Sequence, residues 1–226
     1  MDIPLEKILE NINCSSDEFS LICDNFTNKE LFQTNNSGKL IKREDGSLIL
    51  KEPLLWSLLD MIKKVLVLDY KTGNVDSVIK AVKMFGYDVI FSSEKKDFDK
   101  VSKIILPGQG AYDYAMDQLI KLDLHEKLIR SSKEKSMPIL GICLGMQILS
   151  NFGLENKKTN GLGLIDGSVE SIKSSPEKLP HLGWNSVKFL KTKNKLFSNI
   201  KNKKDYYFIH SYCFKCKNKE NVLATS

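Results

Sequence analysis

From Val65 onward, short continuous apolar runs alternate with amphipathic stretches. Val65-Leu-Val-Leu68 predicts a strand covered on both faces. Val75, Val78, Ile79 and Val82 recur at i, i+3, i+4 and i+7, predicting a helix that ends near Gly86. Asp88–Phe91 and Lys103–Leu106 read as further strands, the second closed by Pro107-Gly108. Ala115, Met116, Leu119 and Ile120 open a helix predicted to run towards Lys133. Ile139, Leu140 and Ile142 predict a buried strand, with Met146–Phe152 on a helix after it. This alternation predicts an α/β chain with a mainly parallel, doubly covered sheet. Beyond Gly161 the pattern changes. Val169–Ile172, Asn185–Phe189 and Tyr206–Phe214 predict an antiparallel addition.

Residues 1–60 differ in character. Ile3–Ile12 suits a short helix, residues 24–48 are polar with little periodicity, and Leu54–Met61 reads as an amphipathic helix. This stretch is read as an N-terminal extension of unknown role, and residues 61–226 as the functional domain.

Composition narrows the class. A hydrophobic fraction of 42% over 226 residues is enough for one sizeable core. No run approaches the ~18 apolar residues of a membrane helix, and no signal peptide opens the chain, so no membrane partner is expected. The net charge of +6 comes from lysines mixed with acids, which suits a solvated surface and not a nucleic-acid patch. Five irregularly spaced cysteines suit a reduced, cytoplasmic protein. Cys213-x-x-Cys216 lacks a second close pair and lies in a strand-like run, so no metal is expected there.

The chemistry concentrates in Pro138-Ile-Leu-Gly-Ile-Cys143-Leu-Gly-Met-Gln147. An apolar run, Gly-x-Cys-x-Gly and then a helix is the arrangement that presents a nucleophile on a sharp turn. The following helix N-terminus would favour a thiolate, and its N–H groups an oxyanion. Spacing alone leaves a buried structural cysteine equally open. Asn74, Gly108–Gly110 and Cys143 all follow strands, so they can converge on the carboxyl edge of the sheet, where such folds bind ligands.

Five segments accompany the elbow in order. They are Asp69-Tyr-Lys-Thr-Gly-Asn74, Leu106-Pro-Gly-Gln-Gly110, Gly161-Leu-Gly-Leu-Ile-Asp-Gly167, Pro180-His-Leu-Gly-Trp-Asn185 and Tyr207-Phe-Ile-His-Ser-Tyr212. With Cys143 they resemble the glutaminase subunits of imidazole glycerol phosphate synthase, a branch of the class I triad-type glutamine amidotransferases. The resemblance covers residues 61–226. It implies a three-layer doubly wound sheet and hydrolysis of glutamine to glutamate and ammonia. The ammonia would pass to a cyclase subunit with a (β/α)8 barrel, forming a heterodimer, and no cofactor is implied. Cys143 would be the nucleophile; Gln109, Gly110 and Leu144 would form the oxyanion site. Gly108, Gln147, His210, Ser211 and Tyr212 would hold substrate. Asn74, His181, Trp184, Asn185 and Tyr207 would face the partner, although Trp184 and Tyr207 also suit a core. Gln109 stands where the family has valine, and Lys71 where it has glycine.

The family's base and acid lie in a Phe-His-Pro-Glu segment that this sequence lacks; its three histidines are His125, His181 and His210. The expectation is a chain without its last strands and closing helix, hence a poor glutaminase as written. The alternatives are a paralogue feeding ammonia to surface-sugar synthesis, a degenerate non-catalytic fragment, and a cysteine hydrolase of the same three-layer class.

Overall fold

The layers follow from alternation along the first strand, β1 (Lys64–Leu68). Successive side chains of a strand point to opposite faces. Leu66 and Leu68 therefore join one buried cluster, while Val65 and Val67 join another on the opposite face. A computed structural model describes residues 63–172, 179–191, 194–197 and 200–226. The extension over 1–60, with its two helix readings, lies outside the described residues.

β1 is flanked by β2 (Asp88–Ser92) and β3 (Lys103–Leu106), and β3 by β4 (Ile139–Gly141). All four are parallel, in the order β2-β1-β3-β4. Helix α1 (Asp76–Met84) covers the Val65, Val67 and Ile105 face through Val75, Val78, Ile79 and Val82. Helices α2 (Tyr112–Lys121) and α3 (His125–Lys133) cover the other, where Ala115, Met116, Leu119 and Leu128 pack with Leu66, Leu68, Ile104 and Leu106. The result is the expected α/β, three-layer, mainly parallel arrangement. At ~1.5–3 kcal/mol for each large apolar side chain buried, this second face, which holds more fully buried side chains, contributes more than the first.

Two sheets form the addition. One has the order β10-β7-β5-β6 and combines β5 (Phe152–Gly153), β6 (Thr159–Asn160), β7 (Gly167–Ser171) and β10 (Tyr212–Cys216). The other pairs β8 (His181–Phe189) with β9 (Lys204–His210) and β11 (Ala224–Thr225). The addition is antiparallel except where β5 pairs with β7 in parallel, against expectation.

Four expectations need correction. The long helix towards Lys133 is two helices, because Asp123 adopts a left-handed φ of 55° between them. The strand over Tyr206–Phe214 is also two, divided at Ser211: His210 pairs with His181 in one sheet and Tyr212 with Ser171 in another. The helix predicted over Met146–Phe152 is one turn, α4 (Leu144–Gln147), because Phe152 is drawn into β5. Leu140 and Ile142 are not buried but 48% and 37% exposed. Their strand ends the described parallel sheet, so an apolar run here does not mean cover on both faces.

Candidate active site

Cys143 sits between β4 and α4 with φ 53° and ψ −116°, a conformation L-residues rarely adopt. The surrounding ladder holds it there. Ile142 N donates to Leu106 O at 3.0 Å, Gly145 N to Ile142 O at 3.0 Å and Gln147 N to Cys143 O at 3.1 Å. The thiol is exposed. Leu144 opens α4, so its N–H has no helical acceptor and remains available to a ligand.

Both flanking glycines are required by space. A Cβ on Gly145 would lie 1.7 Å from Leu106 O, and one on Gly141 2.5 Å from Met146 Cα. The elbow therefore presses directly on the end of β3 and on the Pro107–Gly110 loop. A Cβ on Gly108 would lie 3.0 Å from Gly145 N. Gln109 and Gly110 are exposed, and Gly110 has φ 105°.

Cys143, Leu144, Gln147, the Gly108–Gly110 loop, Asn74, His210, Ser211 and Tyr212 line one cleft of about 560 Å³. The sequence reading is thereby gathered at a single place, except for part of the expected partner face. On β8 and β9, Trp184 pairs with Tyr207 on the outer face, 70% and 52% exposed, with ring centroids 5.6 Å apart. Neither is a core aromatic. His181 and Asn185 lie on the opposite face of the same strand, because residues an odd number apart alternate. Asn74 Oδ1 accepts from Asp76 N at 3.2 Å and so caps the turn into α1.

Two residues at the site escaped the sequence reading. The buried Tyr70 hydroxyl donates to the Pro107 carbonyl, and thereby holds the start of the Pro107–Gly110 loop. Among the described residues Glu155 is the one carboxylate lining the cleft; its Oε2 accepts from Tyr112 N at 2.8 Å, at the start of α2. Tyr70 sits inside a recognisable segment, but nothing in its spacing marks the phenol. Glu155 lies in a turn after β5 with no periodic signal.

Lys71 occupies a left-handed position, φ 63°, where glycine costs least. Asp69 compensates, taking Lys71 N at 3.1 Å and Lys71 Nζ at 2.7 Å. The turn thus forms despite the substitution. On β10, Cys213 and Cys216 are three residues apart and face opposite sides. Among the described residues no group of three His, Cys, Asp or Glu side chains is placed to hold a metal. None of the described helices is long and apolar enough to cross a membrane.

Burial pushes the Tyr70 hydroxyl up to about 12, reinforced by nearby Cys143 and opposed by the Thr72 hydroxyl. The folded chain binds this proton more tightly than the unfolded one. The stabilisation is therefore complete below pH 10 and is lost as pH rises towards 12, about 2–3 kcal/mol in all. Tyr70→Phe should flatten the fall in urea-unfolding free energy over that range. Tyr112, also raised by burial, remains in both proteins, so their difference isolates Tyr70. Identical slopes would contradict the assignment.

The glutamine amidotransferase class-I family model matches residues 66–226. The chain is 39% identical over 163 residues to the imidazole glycerol phosphate synthase subunit HisH 2 of Methanococcus maripaludis, covering 72% of this chain and 80% of that one. It is 40% identical over 154 residues to subunit HisH 1 of Campylobacter jejuni, covering 68% and 76%. It is 38% identical over 165 residues to subunit HisH of Lactococcus lactis, covering 73% and 80%. A crystal structure of a glutamine amidotransferase superposes with a TM-score of 0.56 at 15% identity over 70% of this chain and 78% of that one. Another, from Thermotoga maritima, gives 0.53 at 19% identity over 74% and 67%. These structures share the fold of the chain, and the sequence matches go further: the chain belongs to the class-I glutamine amidotransferase family.

Proposed function

We propose that this chain is the glutamine-hydrolysing subunit of an imidazole glycerol phosphate synthase. The observation that carries the reading is the strained, exposed Cys143 facing the Pro107–Gly110 loop across one cleft. The thiolate attacks the side-chain carbonyl carbon of glutamine. Leu144 N–H and an N–H of the Gln109-Gly110 segment receive the oxyanion. The C–N bond then breaks as the leaving nitrogen takes a proton from water, ammonia departs, and the hydroxide so formed hydrolyses the thioester to glutamate and returns the thiolate. Gln147, Ser211 and Tyr212 line the cleft beside the nucleophile and suit the rest of the substrate. Glu155 supplies a counter-charge for its α-ammonium group.

The ammonia acceptor is the cyclase subunit of the same synthase, a (β/α)8 barrel in this family, giving a cytoplasmic heterodimer. Supporting that contact are Trp184, Tyr207, Leu182 and Ile209, which form an exposed apolar face on the β8–β9 hairpin. His210 is not the base. Its Nδ1 lies 3.2 Å from Tyr212 O and its Nε2 3.2 Å from His181 Nδ1, so both nitrogens are engaged.

The test is covalent capture. The chloromethyl ketone analogue of glutamine should alkylate Cys143 once per chain, and millimolar glutamine should protect it. Glu155→Gln should slow the capture about tenfold, the worth of one charge-assisted contact. Labelling that glutamine does not retard would overturn the assignment.

A further inference from the structure

A chain of hydrogen bonds leaves the cleft at Gln147 and ends on the hairpin that carries Trp184. Gln147 Nε2 donates to Tyr212 O at 3.2 Å, and His210 Nδ1 reaches the same carbonyl at 3.2 Å. His210 Nε2 meets His181 Nδ1 at 3.2 Å, and His181 Nε2 meets the Asn185 side-chain nitrogen at 3.3 Å. His181 and His210 are directly opposed in the β8–β9 register, with ring centroids 5.3 Å apart.

The end of this chain dictates its polarity. A carbonyl oxygen only accepts, so His210 Nδ1 must carry the proton. In the neutral ring its Nε2 is then a lone pair, so His181 Nδ1 must carry a proton in turn. His181 Nε2 is left to accept from the Asn185 amide. For two neutral rings no free choice remains along the line. One of the two N–H groups of the Gln147 amide is held by Tyr212 O, which fixes the side chain and leaves its Oε1 able to accept from a ligand in the cleft.

We propose that His181 and His210 are positioning residues, a neutral pair with both Nδ1 atoms protonated, which anchors the Tyr212 carbonyl and through it turns the Gln147 acceptor towards substrate. This rests on the glutaminase reading of the cleft. The line runs from that cleft to the face of β8 opposite Trp184, since Asn185 follows Trp184 on the strand and points the other way.

Two measurements on the full chain test it. With 15N-labelled histidine near neutral pH, His181 and His210 should each show a protonated Nδ1 and an unprotonated Nε2. The opposite tautomer at either residue overturns the proposal, whatever the cleft binds. The second measurement is the rate of Cys143 alkylation by the glutamine chloromethyl ketone divided by its rate with iodoacetamide. His181→Ala should lower this ratio about tenfold, as loss of one buried hydrogen bond does. His181→Asn, whose amide nitrogen replaces the Nδ1 donor, should restore most of it. A wild-type chain with no preference for the glutamine analogue refutes the glutaminase reading and this proposal together. A wild-type preference that His181→Ala retains refutes the proposal alone.

Discussion

Gly145→Ala should cost at least about 3 kcal/mol of folding stability, enough to lower a urea midpoint by more than about 1 M. The added Cβ would lie 1.7 Å from the Leu106 carbonyl oxygen and 2.7 Å from its carbon. Neither is the yielding end of a side chain. Leu106 O is fixed by the Ile142 N–H at 3.0 Å, and Leu106 itself is fully buried at the end of β3. The helix side is no freer, because Gly145 N donates to Ile142 O and Leu144 is buried in the core. The strain must therefore open the β3–β4 pairing or lift α4 off the sheet. Gly86→Ala supplies the comparison. Gly86 has φ 79° with nothing within 4 Å of a Cβ, so only its backbone conformation is penalised, by about 1 kcal/mol. Equal losses at the two positions would show that close packing at the elbow is not what requires glycine.

The same contact explains how much could be read from the sequence. β1, β2, β3 and α1 were legible because each is settled by its own residues: continuous apolar runs for the strands, a 3.6-residue period for the helix. The elbow was legible because Gly-x-Cys-x-Gly encodes its own geometry. What failed was decided by partners distant in sequence. Alternation continues unbroken through Ser211, and only the choice of β8 before it and β7 after it divides the segment. Leu140 and Ile142 are as apolar as any core residue, yet their exposure depends on which strand stands beside them. Asp123 breaks a helix with a left-handed turn that periodicity does not register. At the site, the backbone-bearing segments were found, but Tyr70 and Glu155 were missed. Their roles arise from contacts 37 and 43 residues away, with Pro107 O and Tyr112 N. The expected partner face was divided for a related reason: a motif lists consecutive residues, whereas a strand sends them alternately to two faces.

Cys143→Gly should abolish capture by glutamine-derived electrophiles and at the same time stabilise the fold by about 1 kcal/mol relative to Cys143→Ala. The first half follows from chemistry, since among the described residues no other thiol lines this cleft with Leu144 and the Pro107–Gly110 loop. The second follows from φ 53° and ψ −116° at Cys143, which a Cβ makes costly and glycine relieves. The gain is net of the greater backbone entropy glycine loses on folding, and so is smaller than the strain itself. Alanine is the proper reference because it removes the sulfur while retaining the Cβ. A glycine variant less stable than alanine, measured by urea midpoints, would mean that the elbow stores no strain. If the order is as expected, the chain gives up stability to hold the Cys143 thiol out of the core, in the cleft it shares with the Pro107–Gly110 loop. The thiol is exposed by construction of the turn. The reactivity towards glutamine proposed for it then depends on backbone geometry that survives the loss of the sulfur.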